Sequence, residues 1–157
     1  MTSPFAIRRA RPDEAEALSA IARAAKQSWG YPDALIAEWA ASLDISPGEV
    51  AAKPTFAAVA GGSLVGFYLL APAGGLWSLE HLWVAPAEQR RGAGRALLVH
   101  AVETARAGGA SRLAIDADPN AEPFYLACGA ERVGAVAAPI AGDPLRARPQ
   151  LVLTILR

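Results

Sequence analysis

The stretch Leu79-Glu80-His81-Leu82-Trp83-Val84-Ala85-Pro86-Ala87-Glu88-Gln89-Arg90-Arg91-Gly92-Ala93-Gly94-Arg95-Ala96-Leu97-Leu98 passes from an apolar strand to an amphipathic helix. The crossing runs over one proline, a polar turn with two arginines, and two glycines. A helix opened through such backbone offers unpaired N–H groups and the positive end of its dipole, which suits an anion such as phosphate. Gly92 and Gly94 carry no side chain to hold a ligand off the backbone. Familiar phosphate loops do not fit. No Gly-Lys-Ser/Thr occurs here, and the third glycine of a dinucleotide fingerprint is replaced by Leu97.

Composition bounds the rest. The chain has 157 residues, 53% hydrophobic, with 15 Lys+Arg against 15 Asp+Glu. One domain over residues 1–157, with enough apolar surface for a core, is the simplest expectation. Balanced charge without a basic run argues against nucleic acid or an acidic membrane surface as partner. No apolar run reaches membrane-spanning length, and the first residues lack a secretory core, so a cytoplasmic setting is expected. A single cysteine, Cys128, permits no internal disulfide. Two histidines and one cysteine far apart argue against a metal site.

Outward from the opening stretch, the pattern predicts seven strands. Residues 5–10 alternate as a first strand. Pro12-Asp13-Glu14 opens a helix to about Lys26. Gly30-Tyr31-Pro32 breaks it, and Asp33 caps a second short helix through Leu35, Ile36, Trp39 and Leu43, ending near Ser46-Pro47-Gly48. Strands over 55–60 and 63–71 meet at Gly61-Gly62, a hairpin signal, with a bulge expected at Gly66. Residues 76–84 form the fourth strand. The helix after Gly92 stops at Gly108-Gly109, and 111–116 follow as a parallel strand. A two-turn helix lies between Asn120, its expected N-cap, and Gly129. Strands over 131–136 and 150–156 close the chain around a loop from 137 to 149.

Val84-Ala85-Pro86 with Gln89-Arg90-Arg91-Gly92-Ala93-Gly94 resembles the pyrophosphate signature of the GCN5-related N-acetyltransferases. A second motif of that family is matched by Asn120, Phe124-Tyr125 and Gly129, with Ala130 where a phenylalanine is usual. The element order agrees as well. The resemblance implies an α+β (α/β) fold: a mixed, mostly antiparallel sheet with splayed central strands, flanked by helices. It further implies a bacterial-type acetyl-CoA-dependent N-acetyltransferase acting directly on a primary amine, with a small molecule as acceptor and a homodimer as the family's suggestion. The alternatives are a non-catalytic acyl-CoA sensor or interaction module, and a transferase for a longer acyl-CoA.

Residue by residue, the resemblance assigns Leu82, Trp83 and Val84 to the pantetheine arm. Gln89, Arg90, Arg91, Gly92, Ala93 and Gly94 go to the pyrophosphate, although the arginines also read as a solvated basic turn. Asn120 would bond the pantetheine arm, or simply cap its helix, and Phe124 belongs to the same cofactor site. Tyr125 is the general acid for the leaving thiolate, or a core tyrosine. Glu80 is the general base, with His81 second because a regular strand turns it to the opposite face. On residue chemistry rather than resemblance, Trp29, Tyr31, Arg146 and Arg148 are assigned to the acceptor: the aromatics wall an apolar pocket or face a cationic amine, or else staple two helices, and the arginines recognise a carboxylate as fixed donors. Cys128 reads as a core residue rather than a nucleophile.

Overall fold

The structure is a computed structural model and describes residues 4–156. The strands are β1 (Ala6–Arg9), β2 (Thr55–Ala60), β3 (Ser63–Ala71), β4 (Leu76–Val84), β5 (Arg112–Asp116), β6 (Glu131–Ala137) and β7 (Ala147–Thr154). The helices are α1 (Ala15–Gln27), α2 (Asp33–Glu38), α3 (Ala40–Leu43), α4 (Pro47–Ala52), α5 (Ala93–Ala107) and α6 (Glu122–Ala127). The strands form one sheet in the order β1-β2-β3-β4-β5-β7-β6. Of its pairings only β4 with β5 is parallel, as a strand–helix–strand crossover through α5 requires. The fold is the mixed, mostly antiparallel sheet with flanking helices expected from the sequence.

Each face of the sheet carries its own core. On one face Leu18 and Ala22 of α1, with Ile36, Leu43 and Val50, close over Ala57, Phe67 and Leu69. On the other, Leu97, Leu98 and Ala101 of α5 pack on Tyr68, Leu70, Leu79 and Leu113. Ser19 ties the first layer together: its hydroxyl donates to the Ala15 carbonyl (2.8 Å) and accepts from the Ile45 amide (2.8 Å). At the start of α1, Glu14 accepts the Arg11 amide and two Arg8 hydrogen bonds of 2.9 and 2.8 Å. The Arg8 bonds hold its carboxyl down at about 2.

The segment after α1 departs from expectation. The single short helix breaks at Trp39 (φ −88°, ψ 1°) into α2 and α3, and the N-cap is Pro32 rather than Asp33. Ser46-Pro47-Gly48, read as a stop, is the start of α4. Ser46 Oγ accepts from the Glu49 amide (3.1 Å), and Glu49 Oε1 accepts from the Ser46 amide (3.2 Å). That is a capping box with proline in the first turn, a start signal stronger than the local glycine. The last strand also begins earlier than expected, at Ala147, because β6 pairs with it from Ala137 onward.

Two irregularities shape the sheet centre. The hairpin glycines Gly61 and Gly62 both have positive φ, as a tight two-residue turn demands. The bulge expected at Gly66 sits one residue earlier: Ala58 pairs with Gly66 and Val59 with Leu64, leaving Val65 as the extra residue. Gly66 answers a different need, since a Cβ there would lie 2.7 Å from the Trp83 carbonyl oxygen. A second bulge falls on β4. Leu70 pairs with Leu79 and Leu69 with His81, so Glu80 is the inserted residue.

Candidate active site

β4 and β5 pair only from Leu76↔Arg112 to Leu79↔Ile115. Beyond Leu79 the strands part, and β4 continues to Val84 with its β5 side unpaired. At the end of that free edge lies the loop before α5. Gln89 Nε2 donates to the Val84 carbonyl (3.2 Å), folding the turn back on the strand. Arg90 (φ 67°) and Gly92 (φ 88°) both sit in the left-handed region, so the chain coils into a concave run of amides of the kind that cradles anions. Gly92 is the N-cap and gives no side-chain cap. The first helical bond runs from the Ala96 amide to the Gly92 carbonyl (3.0 Å), and no carbonyl of the described residues accepts from the amides of Arg90 to Arg95. Arg90 is exposed, and Arg91 lies 3.5 Å from Glu88. Gly94 lets the first turn of α5 rest against Phe124: a Cβ there would be 3.4 Å from that ring.

On the α1 side of the fork opens a cleft of about 990 Å³. Glu80, His81 and Trp83 line its β4 wall, while Asp116, Arg148 and Gln150 line the β5–β7 wall, with Lys26 and Trp39 contributed by the helical layer. The bulge decides this arrangement. Before it, Trp77 and Leu79 face the α5 core; after it, Leu82 and Val84 do. Trp83, and His81 by alternation, therefore face the α1 side, where Glu80 already points. The expectation that His81 lies opposite Glu80 is corrected: both line one cleft, because an inserted residue resets the two-residue period.

Glu80 Oε1 lies 2.9 Å from Lys53 Nζ, which is also 3.9 Å from Glu49. His81 Nδ1 accepts the indole N–H of Trp83 (3.1 Å). Burial pushes the His81 pKa down, against the raising effect of Glu80 and Glu49. The ring is thus neutral, with the proton assigned to Nε2 by that hydrogen bond. Its one lone pair is already committed, which leaves Glu80 the better placed proton acceptor.

A buried polar cluster stands behind the cleft. Asp118 Oδ2 accepts from Lys26 Nζ (2.6 Å), Tyr31 Oη (2.9 Å) and Arg146 Nη2 (3.2 Å). Its Oδ1 accepts from the amide and the Nδ2 of Asn120 (2.8 and 2.9 Å). Asn120 Nδ2 and the Arg146 Nε and Nη2 also donate to the Tyr31 hydroxyl, and Arg146 Nη1 donates to the Ala138 carbonyl. Burial works to raise the Asp118 pKa, but the Lys26 bond and the Asn120 donors outweigh it and hold the carboxyl below its ordinary range. Lys26 lies over Trp39 at 4.6 Å, and Arg146 lies over Tyr31 and Trp39 at 5.3 and 5.2 Å.

Against the sequence assignments, Arg146 and Arg148 do line the cleft. Arg146, however, is buried and held by Tyr31, Asp118 and Ala138, while Arg148 pairs with Asp116 at 3.0 Å. Trp29 and Tyr31 are not lining residues. Trp29 packs on Trp83 (5.9 Å) and Tyr31 on Trp39 (5.0 Å), so they back the rings that do line it. Asn120 is not the N-cap of α6; that position is Ala121, and the Asn120 side chain turns into the Asp118 cluster instead. Tyr125 is buried on α6 and makes no hydrogen bond through its hydroxyl to the described residues. Since none of their fully buried side-chain nitrogens or oxygens lacks a partner, that hydroxyl must reach solvent-accessible space. Burial, aided by Cys128, pushes its pKa up. Cys128 is half-buried at the C-cap of α6. Lys26 and Asp118 escaped the sequence reading; the available signal was an Asp two residues before an Asn in a Pro-containing turn, which bonds its own backbone ahead. Among the described residues no group of three or more His, Cys, Asp or Glu is placed to hold a metal, and no helix is long and apolar enough to cross a membrane.

Residues 15–130 match the model of the acetyltransferase (GNAT) family. Among curated protein sequences no match was found. Among solved structures, the chain is similar to a PaiA N-acetyltransferase from Thermoplasma acidophilum in complex with coenzyme A (TM-score 0.78, 18% identity, covering 98% of this chain and 99% of that one). It is also similar to a GCN5-related N-acetyltransferase from Rhodopseudomonas palustris (TM-score 0.78, 25% identity, 98% and 97% covered). A third similar structure is the ribosomal-protein-S18-alanine N-acetyltransferase from Escherichia coli (TM-score 0.73, 18% identity, 98% and 95% covered).

Proposed function

Because this chain belongs to the acetyltransferase (GNAT) family, we propose that it moves an acetyl group from acetyl-CoA directly to a primary amine of a small molecule in the cytoplasm. The row of unclaimed amides from Arg90 to Arg95 carries this conclusion. Six donors at the positive end of a 15-residue helix suit a pyrophosphate, the exposed Arg90 and Arg91 can add charge-assisted contacts, and the small Ala93 and Gly94 leave room for it. The free edge of β4 over Leu82, Trp83 and Val84 offers peptide groups to the amides of a pantetheine arm. Asn120 has both Nδ2 hydrogens committed to Asp118 and Tyr31, so it presents a carbonyl oxygen, suited to a pantetheine N–H. Phe124 packs beside Gly94 and closes that end of the site. A solved relative of the same fold holds coenzyme A.

The thioester brings an activated acyl group and a good leaving thiolate; this chain has to deprotonate the amine and protonate the sulfur. Glu80, aimed into the cleft by its bulge, takes the amine proton directly or through one water. Tyr125 supplies the proton to sulfur. Cys128 forms no acyl intermediate in this scheme.

Thermal unfolding with CoA, acetyl-CoA and longer acyl-CoAs, followed by free-thiol release against a panel of amines, tests the proposal. A ligand at 100 times its Kd is expected to stabilise by about 2.7 kcal/mol. No stabilisation by any CoA species would refute it, and preference for a longer thioester would change the donor. Glu80→Gln should lower turnover near neutral pH by about 10²- to 10⁴-fold. The deficit should shrink at alkaline pH, where the amine arrives already neutral. Loss of the Lys53 pair, in which each side chain is 34% exposed, contributes little. Wild-type turnover at pH 7 in this variant would remove Glu80 from the mechanism.

A further inference from the structure

The charges in the cleft do not cancel wall by wall. On the β5–β7 side, Arg148 and Asp116 balance each other. Behind them one carboxylate, Asp118, serves two cations, Lys26 and Arg146. Their side chains are only 3%, 13% and 4% exposed, so solvent screens the excess positive charge poorly. Tyr31 cannot supply the missing anion, because burial raises its pKa and keeps the phenol neutral. The Trp39 and Tyr31 faces soften the charge without neutralising it. On the β4 side the imbalance is reversed: Glu80 and Glu49 share the single Lys53. Asp44, also lining the cleft, shares Arg23 with Glu16, so it adds nothing positive to that side.

The donors left over point the same way. Lys26 Nζ gives one hydrogen bond, to Asp118, and its remaining hydrogens have no acceptor among the described residues. Arg148 bonds Asp116 through Nε and keeps both terminal nitrogens free. Arg146, held by Tyr31, Ala138 and Asp118, supplies fixed charge behind these two rather than contact. A volume of about 990 Å³ is of the size that takes small molecules.

We propose that the acceptor is an amino carboxylate, held with its carboxylate against Lys26 and Arg148 and its amine toward Glu80. This rests on the acetyltransferase reading above and adds the substrate class to it. Lys26 and Arg148 act as specificity residues, and a ligand carboxylate completes the charge balance that Asp118 leaves open.

The test pairs each proteinogenic amino acid, and a series of ω-amino acids, with its own carboxamide. Free-thiol release gives kcat/KM, and calorimetric titration of the CoA-bound protein with the same compounds gives binding without turnover. At least one acid is expected to exceed its carboxamide by about tenfold or more in both measurements, because the amide leaves the excess positive charge uncompensated. Arg148→Gln, whose side chain is half-exposed, should fold normally and reduce that acid-to-amide ratio, with Lys26→Gln doing the same. The readout is the ratio, which a merely structural role would not move. If CoA stabilises the protein and amines are acetylated with acid and amide treated alike, this inference falls and the acetyltransferase reading stands. Failure of every CoA species to bind would remove the reading beneath it.

Discussion

Replacing Tyr125 with Phe is expected to lower kcat by about 10²- to 10⁴-fold, the usual contribution of a positioned proton donor, while fold and CoA affinity are retained. The ring is buried on α6 with 6% exposure and packs edge-on against Phe124 at 5.2 Å. Phe keeps that packing. The hydroxyl makes no hydrogen bond to the described residues, so its removal orphans no partner and stability should stay within about 0.5 kcal/mol of wild type. The effect should fall on kcat and leave the thermal shift with CoA unchanged. Burial raises the Tyr125 pKa above its ordinary value near 10, so the acid stays protonated across the usual assay range and contributes no limb to the pH profile there. Single-turnover measurement of thiol release in Tyr125→Phe decides the matter. Wild-type turnover in a folded variant would leave Tyr125 a core residue only.

Asp118→Ala is expected to destabilise the protein by about 3–5 kcal/mol, because it strips two buried cations of their shared anion. At roughly 2–4 °C per kcal/mol for a chain of this size, the melting temperature should fall by about 6–20 °C. The loss also frees Tyr31 and Asn120 from their common acceptor. In the wild type, Asp118 is held below its unfolded value of about 3.9. Its contribution is therefore complete above that pH and disappears as the pH falls through the folded value. Asp118→Ala should consequently show a shallower acid dependence below about pH 4, with the remaining loss coming from Glu14, whose carboxyl sits at about 2. Thermal melts of both proteins across this range measure it. Equal stability at pH 7 would mean that the cations are relieved by solvent instead.

Much of the fold was legible because its signals are local. Pro12 before acidic residues, the Gly61-Gly62 turn and the Gly108-Gly109 stop each act within a few residues, and α1, the β2–β3 hairpin and α5 appear where they point. The same logic misread Ser46-Pro47-Gly48, where the reciprocal Ser46–Glu49 bonds outweigh two helix breakers. The anion loop was legible too, since glycines, a helix start and backbone amides need no tertiary partner to define them.

The amino-acid sequence by itself determined the succession of the seven strands, the parallel crossover and the amide-lined loop at the start of α5. Only the tertiary structure decided what faces what. The Glu80 bulge carries no glycine or proline to announce it, arises from pairing with β3, and puts Glu80 and His81 in one cleft. Asp118, Lys26, Tyr31 and Arg146 lie up to 120 residues apart in the sequence and meet only in the folded chain. Charge balance in a low-dielectric space depends on through-space distance, which residue spacing along a chain does not encode.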